Sequence, residues 1–402
     1  MDGGDYVHGD PAHEDRYNQF ILRAMVSMDY DAITMGELEL YRGHDYVQSI
    51  LDSTRVPMVL ANARFAESGK PLGEPYLLRK VGDVTYGIVG LVGQQFEEGK
   101  GKPREQARED GKAKFKQAGF TVDDPFEVAA KIIPVVDAQV DLVVVLAHLT
   151  TSEARELASQ VPGIDVLVLG HQLTALPPAQ LGTVTQAPGS EARESFVDSL
   201  GPVVVAPGQQ GQHIAQTRIS LAQDRRILAY GGAATGLTLR DFPEYRDLAA
   251  ALKQLHQVVN AERKRAELSG ELKRSEKRLV SGQDHFMGDL RCARCHIDIY
   301  KDWRNTQHAH AWQTLVELNR DADPQCISCH VTGMGLPGGY KGIGAVQDMR
   351  NVQCESCHGM GTMHDMTGMA DPEAGNPTCV RCHTGENSPE FDFNAYWPKI
   401  MH

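Results

Sequence analysis

All eight cysteines of this 402-residue chain fall in four C-x-x-C-H repeats: Cys292-Ala-Arg-Cys295-His296, Cys326-Ile-Ser-Cys329-His330, Cys354-Glu-Ser-Cys357-His358 and Cys379-Val-Arg-Cys382-His383. Two thiols at this spacing with an imidazole directly after them are the arrangement that attaches a c-type haem. The thiols add to its two vinyl groups, and the histidine reaches the iron as proximal ligand. Structural zinc and disulfide frameworks also use C-x-x-C, but neither needs a histidine after every second cysteine. Histidine is 16 of 402 residues, so four such placements by chance come to about one in several hundred thousand. The sequence predicts four covalent haems on His296, His330, His358 and His383.

A low-spin haem needs a second axial ligand. Five further histidines lie between 285 and 402: His285, His308, His310, His364 and His402. Bis-histidine ligation keeps iron six-coordinate and favours electron transfer over ligand chemistry. On a helix His308 and His310 would point about 200° apart, so the two do not serve one haem. Met360, Met363, Met366 and Met369 recur every third residue; methionine can ligate haem, but soft packing against a flat cofactor is its commoner use. Trp303, Trp312 and Trp397 are read as haem-packing aromatics. Leu, Ile, Val and Phe supply 17 of the 118 residues from His285 to His402, about 14%, where chains below about 20% seldom bury enough to fold. Porphyrins would make up the missing core, and the region is expected to be unfolded without them.

Two segments here are more specific. Trp303-Arg-Asn-Thr306-Gln-His308-Ala309-His310-Ala311 and Cys354-Glu-Ser-Cys357-His358-Gly359-Met-Gly361-Thr-Met-His364 resemble the W-x-x-[ST]-x-H-A-x-A and C-E-x-C-H-G-x-G-x-x-H segments of the tetrahaem cytochromes similar to the electron acceptor of hydroxylamine oxidoreductase. The resemblance covers about 284–402. It implies that His308 and His364 are distal ligands of haems other than those of their own motifs. It implies that His402 is another distal ligand, and that the haem on His330 is five-coordinate.

A second cluster of candidate ligands lies far upstream. Asp2-Gly-Gly-Asp5, the segment Tyr30 to Glu39 with Gly36-Glu-Leu-Glu39, Val144-Val-Leu-Ala-His148 and Leu169-Gly-His171-Gln-Leu173 follow the order of G-D, G-N-H-E, a strand-ending histidine and G-H-x-H. They resemble the calcineurin-like metallophosphatases of the 5'-nucleotidase family, over roughly 1–230. That family holds two metals, which activate water against phosphate. The resemblance places Asp5, His148 and His171 at metal-ligand positions. Glu37 stands for an asparagine ligand, Leu38 for the histidine that assists catalysis and Leu173 for the last histidine ligand. The family's opening D-x-H would lie before Met1. Four candidates against about six to seven ligands for a two-metal site imply at most one divalent metal and a domain kept for docking or assembly.

The elements that must hold these residues divide the chain. Residues 1–242 read as α/β, a metallophosphatase-like β-sandwich flanked by helices. Helices are expected over 21–28, 128–138 and 153–161, and strands over 57–61, 86–92, 141–147 and 164–169; 203–206 and 213–221 read as paired strands. Residues 243–283 read as a charged helical linker, one long or broken helix interrupted near Ser269-Gly270, with its Lys and Arg on a solvated face. Residues 284–402 read as a mostly helical and irregular multihaem cytochrome c domain.

Whole-chain properties exclude other classes. A net charge of −13 argues against a nucleic-acid partner and for a basic redox partner protein or an extracellular electron acceptor. The longest apolar runs, 140–149 and 164–170, are buried-strand length and far short of the ~18 residues of a membrane span. Covalent haem is attached outside the cytoplasmic membrane, so a periplasmic or cell-surface protein is expected, with an export leader preceding this sequence. The leading expectation is an electron carrier. The alternatives are a haem enzyme acting on a small nitrogen or oxygen compound at an open iron, and a redox-linked nucleotidase.

Overall fold

The computed structural model describes residues 1–6, 14–94, 103–171, 176–180, 195–196, 201–208, 211, 213–237, 242–271, 282–345, 348–367, 375–385, 387–388 and 390–402. They form two compact units, Met1–Tyr245 and Arg246–His402.

The first unit is built on a six-stranded sheet in the order Tyr76–Val81, Val84–Val92, Leu142–His148, Val166–Leu169, Val203–Ala206, Leu176–Gln180. The four inner strands run parallel and the two edge strands antiparallel. A strand covered on both faces reads as a continuous apolar run. Leu142–His148 is such a strand, with every residue after Leu142 buried. On one face the helix Pro125–Asp137 sets Ala129, Ile133 and Val136 against Val89, Val143 and Val145. Its start is fixed by Asp124, whose carboxylate accepts the N–H of Phe126 at 2.9 Å, and by Pro125 in the first turn. On the other face Val144, Leu146, Val166 and Val205 meet Ala215 and Ile219 of the strand His213–Leu221. That strand belongs to a separate three-stranded sheet with Ile227–Gly236 and Ser195–Phe196, so the two sheets form the expected sandwich.

Two local expectations are corrected. Residues 203–206 and 213–221 do not pair: the former lies parallel to Val166–Leu169, and the latter pairs with Ile227–Gly236. Both are apolar enough to be strands, but the alternating burial of His213–Leu221 marks a half-exposed sheet, whereas Val203–Ala206 is mostly buried. Residues 57–61 form isolated bridges, Met58 to Ile33 and Val59 to Glu74, and no ladder.

The second unit opens with the helix Arg246–Leu268, ended by Gly270 at φ +78°. It is not solvated all round. Val259, Asn260 and Arg263 are buried. Asn260 donates to Asp321 at 2.7 Å and accepts the N–H of Ala322 at 2.8 Å; Lys264 pairs with Asp321 at 2.6 Å and Arg263 with Asp323 at 3.5 Å. The helix read as part of a linker therefore packs with the haem-motif region and shares its unit; 272–281 lie outside the described residues. Burial works to raise the Asp323 carboxyl, but Arg320 and Arg263 hold it below the usual carboxylate range. The remaining helices are short, and a small apolar core of Phe286, Trp312, Leu315, Ile327, Val331, Tyr340 and Met349 joins them. No helix among the described residues is long and apolar enough to cross a membrane.

One pH dependence follows from the sheet. Asp165 accepts the N–H of Val143 at 2.7 Å. Burial and, less strongly, nearby Asp137 push its carboxyl up to about 6, against the pull of that hydrogen bond. A carboxyl raised on folding stabilises the fold below its unfolded value of about 4 and loses that contribution as pH rises through its folded value. Urea unfolding should show the first unit weakening by about 1–3 kcal/mol between roughly pH 4 and 7. Asp165→Asn should flatten that slope.

Candidate functional site

In the first unit the carboxyl ends of adjacent parallel strands converge, the usual place for a ligand on an α/β sheet. His148 ends Leu142–His148, and His171 follows Val166–Leu169 by two residues. The capping box of Thr150 and Glu153 starts the next helix at once, fixing the turn after His148. Asp5 is reached through Gly4 at φ +95° and itself sits at φ +60°. Glu37 opens the helix Glu37–Tyr41, whose cap is Gly36. One ligand atom from each of Asp5, Glu37, His148 and His171 lies within 4.8 Å of the others.

The contacts are tight. His148 Nε2 lies 2.6 Å from Glu37 Oε2 and 3.3 Å from Asp5 Oδ2, and its Nδ1 lies 2.7 Å from the Gly3 carbonyl. His171 Nδ1 is 3.5 Å from Glu37 Oε1. Burial opposes the charge on His148, yet hydrogen bonds to Asp5 and Glu37 raise it well above the ordinary histidine value. Beneath the ligands Glu39 accepts the N–H groups of Gly36 at 2.7 Å and Asp5 at 2.9 Å; burial, then Asp5, push its carboxyl up to about 7. Gly36 has no room for a side chain: a Cβ there would lie 2.1 Å from Asp5 Oδ1 and 2.6 Å from His148 Cε1. The set of two imidazoles and two carboxylates fits a single divalent cation of the zinc, manganese or iron class. Glu37, the fourth candidate, supplies the second carboxylate. Leu38 is half-exposed and contributes only its backbone N–H, to Asp5 Oδ1 at 3.0 Å. Leu173 lies outside the described residues.

In the second unit three motif histidines each face one of the extra histidines. His296 pairs with His364 at 6.1 Å between ring centroids, His383 with His308 at 6.2 Å and His358 with His402 at 5.7 Å. Metal–imidazole bonds of about 2 Å on opposite sides of one ion put ring centroids about 6 Å apart, so each pair has room for one iron between its rings. Burial lowers the proton affinity of His308 and His383, favouring the neutral ring that ligates. Among the described residues no ring pairs with His330; its Nδ1 lies 2.6 Å from the Ala311 carbonyl, which leaves Nε2 for a metal. His383 Nδ1 bonds Ser388 Oγ at 3.0 Å, and His402 Nδ1 bonds the Ile400 carbonyl at 3.2 Å. Such contacts set the tautomer and orientation of a ligating ring. His310 turns away, its Nε2 3.1 Å from the Arg304 carbonyl, and His285 Nδ1 lies 3.0 Å from the Gln283 carbonyl.

None of Cys292, Cys295, Cys326, Cys329, Cys354, Cys357, Cys379 and Cys382 forms a disulfide; here their thiols stand for thioether sulfurs. The thiols link the loops in space. Cys292 lies near enough to Cys354, Cys382 to Cys329, and Cys357 to Cys379 and Cys382 for each to shift its neighbour's proton affinity. The loops are thus neighbours in the order one, three, four, two. Trp303 donates to the Val352 carbonyl at 3.0 Å, Trp312 packs on Tyr340 in the apolar core, and Trp397 stacks on Phe393. Met360 packs against that core while Met363 and Met366 are exposed; Met369 lies outside the described residues.

Residues 291–359 match the family model described as cytochrome c554 and c-prime. Cytochrome c-554 of Nitrosomonas europaea is 32% identical over 139 residues, 29% of this chain and 59% of that protein. At the other end, a 2',3'-cyclic-nucleotide 2'-phosphodiesterase/3'-nucleotidase of Yersinia enterocolitica is 27% identical over 256 residues, 56% of this chain. The chain spans about a third of that relative's length, 36%. A 5'-nucleotidase precursor from Thermus thermophilus shares the fold, with a TM-score of 0.52 at 22% identity, over 69% of this chain and 51% of that one. The chain thus joins a nucleotidase-like α/β region to a region similar to cytochrome c, and that similarity supports c-type haem and an electron-transfer role.

The first cluster is open to a direct check. Equilibrium dialysis with Mn²⁺ or Zn²⁺ should give about one ion per chain, and Gly36→Ala, which drives a methyl into Asp5 and His148, should weaken binding by about tenfold or more.

Proposed function

We propose that this protein is a four-haem electron carrier working outside the cytoplasmic membrane, in the periplasm or at the cell surface, with a phosphoesterase-like domain that no longer hydrolyses phosphoesters. The observation that carries the reading is the ring pairing: three proximal histidines each have a second imidazole at the spacing of one shared iron. Bound haem would supply reversible one-electron exchange at iron. The chain's part is to hold it. Cys292, Cys295, Cys326, Cys329, Cys354, Cys357, Cys379 and Cys382 would anchor the porphyrins. His296 with His364, His383 with His308 and His358 with His402 would close both faces of three irons, and His330 would hold the fourth from one side. The spatial order of the loops gives a relay running from the first motif through the third and fourth to the second. A basic protein or an extracellular electron acceptor suits the net charge of −13.

In the first unit Asp5, Glu37, His148 and His171 would hold at most one divalent ion. Two functions of the nucleotidase site have no donor here: Leu38 cannot move a proton, and a leucine at 173 cannot ligate. The unit then serves docking or assembly.

A second reading rests on His330. Among the described residues no second ring faces it, so its haem would keep an open position for a small nitrogen or oxygen compound. Pyridine haemochrome analysis should give about four haems per chain. The dithionite-reduced protein should bind about one CO per four haems, at the His330 haem. His310→Ala should leave that number unchanged, whereas His308→Ala should raise it to about two. A reduced protein that ignores CO would remove the small-molecule reading and leave four closed haems. Phosphodiester or nucleotide hydrolysis above background in the metal-supplemented protein would overturn the docking reading.

A further inference from the structure

Within the third attachment loop, Glu355 lies between the two cysteines and is buried, at 4% exposure. Residues enclosed by a C-x-x-C loop need have no partners beyond it. Glu355 has three, all backbone N–H groups distant from the loop or beyond its end. Its carboxylate accepts Met287 at 2.9 and 3.0 Å to its two oxygens, Gly288 at 2.8 Å and Gly361 at 2.9 Å. Those donors lie on the two segments that carry the ligands of a different haem. Gly288, at φ +88°, caps the helix Asp289–Cys292 that leads into Cys295 and His296. Gly361 leads directly into the helix Thr362–Thr367, which carries His364.

The surroundings fit that geometry. Gly361 leaves little space beside the carboxylate, since a Cβ there would meet Glu355 Oε1 at 3.1 Å. The cap Gly288 has no side chain to satisfy the first N–H groups of its helix, and the third loop does so instead: Glu355 takes Gly288 and Gln353 Oε1 takes Asp289 at 2.9 Å. The two ligand segments also meet each other. Thr362 Oγ1 donates to the His285 carbonyl at 2.7 Å, Asp284 accepts the N–H of Met363 at 3.1 Å, and Arg291 Nε donates to Asp365 at 2.9 Å. The Arg291–Asp365 contact is surface-exposed and worth little. A buried carboxylate bridging three N–H groups is worth far more, because removing it leaves those donors desolvated and unpaired.

We infer that Glu355 is the positioning residue for the haem on the first motif: from the third loop it holds the segments of His296 and His364 at the separation that one six-coordinate iron requires. The inference rests on the His296–His364 pairing proposed above. It makes the two neighbouring haem sites mechanically dependent, since a side chain within the attachment loop of one sets the distal ligand of the other. Glu355 touches no ligand ring, so its effect passes through the backbone at Gly288 and Gly361.

The test uses the full chain matured with its haems. Glu355→Ala should keep four haems but free His364 from one iron. CO bound by the reduced protein should rise from about one to about two per chain, and one haem of the oxidised protein should change from low to high spin by electron paramagnetic resonance. Glu355→Gln, which keeps an acceptor oxygen but sets an amide N–H₂ against one of the donors, should fall between. His364→Ala is the control. If it opens one haem and Glu355→Ala does not, the inference fails while the pairing stands. If His364→Ala itself leaves CO binding at about one, the pairing fails and the inference falls with it. Should Glu355→Ala not load four haems, Glu355→Asp takes its place: its carboxylate is one methylene short of spanning both segments, and CO binding that stays at about one per chain would overturn the proposal.

Discussion

An imidazole that is to hold a metal ion is aimed by what holds it from behind, and both candidate sites of this chain contain rings held in this way. A histidine ring rotates about two bonds. Its ligating nitrogen is aimed only when the other nitrogen is tied. His148 is tied to the Gly3 carbonyl, His330 to Ala311, His383 to Ser388 and His402 to Ile400. In three of these four the tie is a backbone carbonyl, so the fold of a short segment decides where the ligand points. Gly288 shows the same use of backbone for a carboxylate: at φ +88° it presents its N–H to Glu355.

The first unit shows the same requirement under changed chemistry. Its strand ends deliver His148 and His171 to one place, and Gly36 keeps the floor open. Glu37 sets a second, buried carboxyl group beside Asp5. Charges buried without compensation are expensive. Here the compensation takes the form of hydrogen bonds to Asp5 and Glu37, which hold the proton affinity of His148 well above the ordinary histidine value against its burial, while burial and then Asp5 raise Glu39 to about 7. A divalent ion would serve the same electrostatic purpose, which makes an ion and a proton competitors for one site.

The attachment motifs were legible because their chemistry is local: two sulfurs and a ring within five residues. The ring pairs were not legible from spacing, since His308 and His383 are separated by most of the haem region and only the resemblance suggested which extra histidines would ligate. The helix Arg246–Leu268 was misread for a related reason. Lys and Arg at helical spacing look solvated until Asp321 and Asp323 arrive from sixty residues away. The buried strands were clear from continuous apolar runs, whereas their parallel order and the pairing of 203–206 were not, because periodicity gives a strand its faces and not its neighbour. Glu355 gave no signal at all beyond its place in a motif; its partners are backbone groups, which a sequence does not distinguish.

Such partners also bear on how a region with about 14% Leu, Ile, Val and Phe can be specified. Its apolar core is small, seven buried side chains from Phe286 to Met349. Around it, buried or half-buried polar side chains bind backbone across long separations: Asn260 to Ala322, Gln353 to Asp289, Asn351 to Trp312, Thr332 to Asn351, Glu355 to three N–H groups. A neutral bond of this kind contributes about 1 kcal/mol net, yet leaving either partner buried and unmade costs more than making it gains. Hydrophobic contacts tolerate sliding; these do not. A wrapper around flat, featureless cofactors needs that intolerance, because apolar packing against a porphyrin face would accept many registers, whereas two imidazoles on one iron accept only a narrow range of separations.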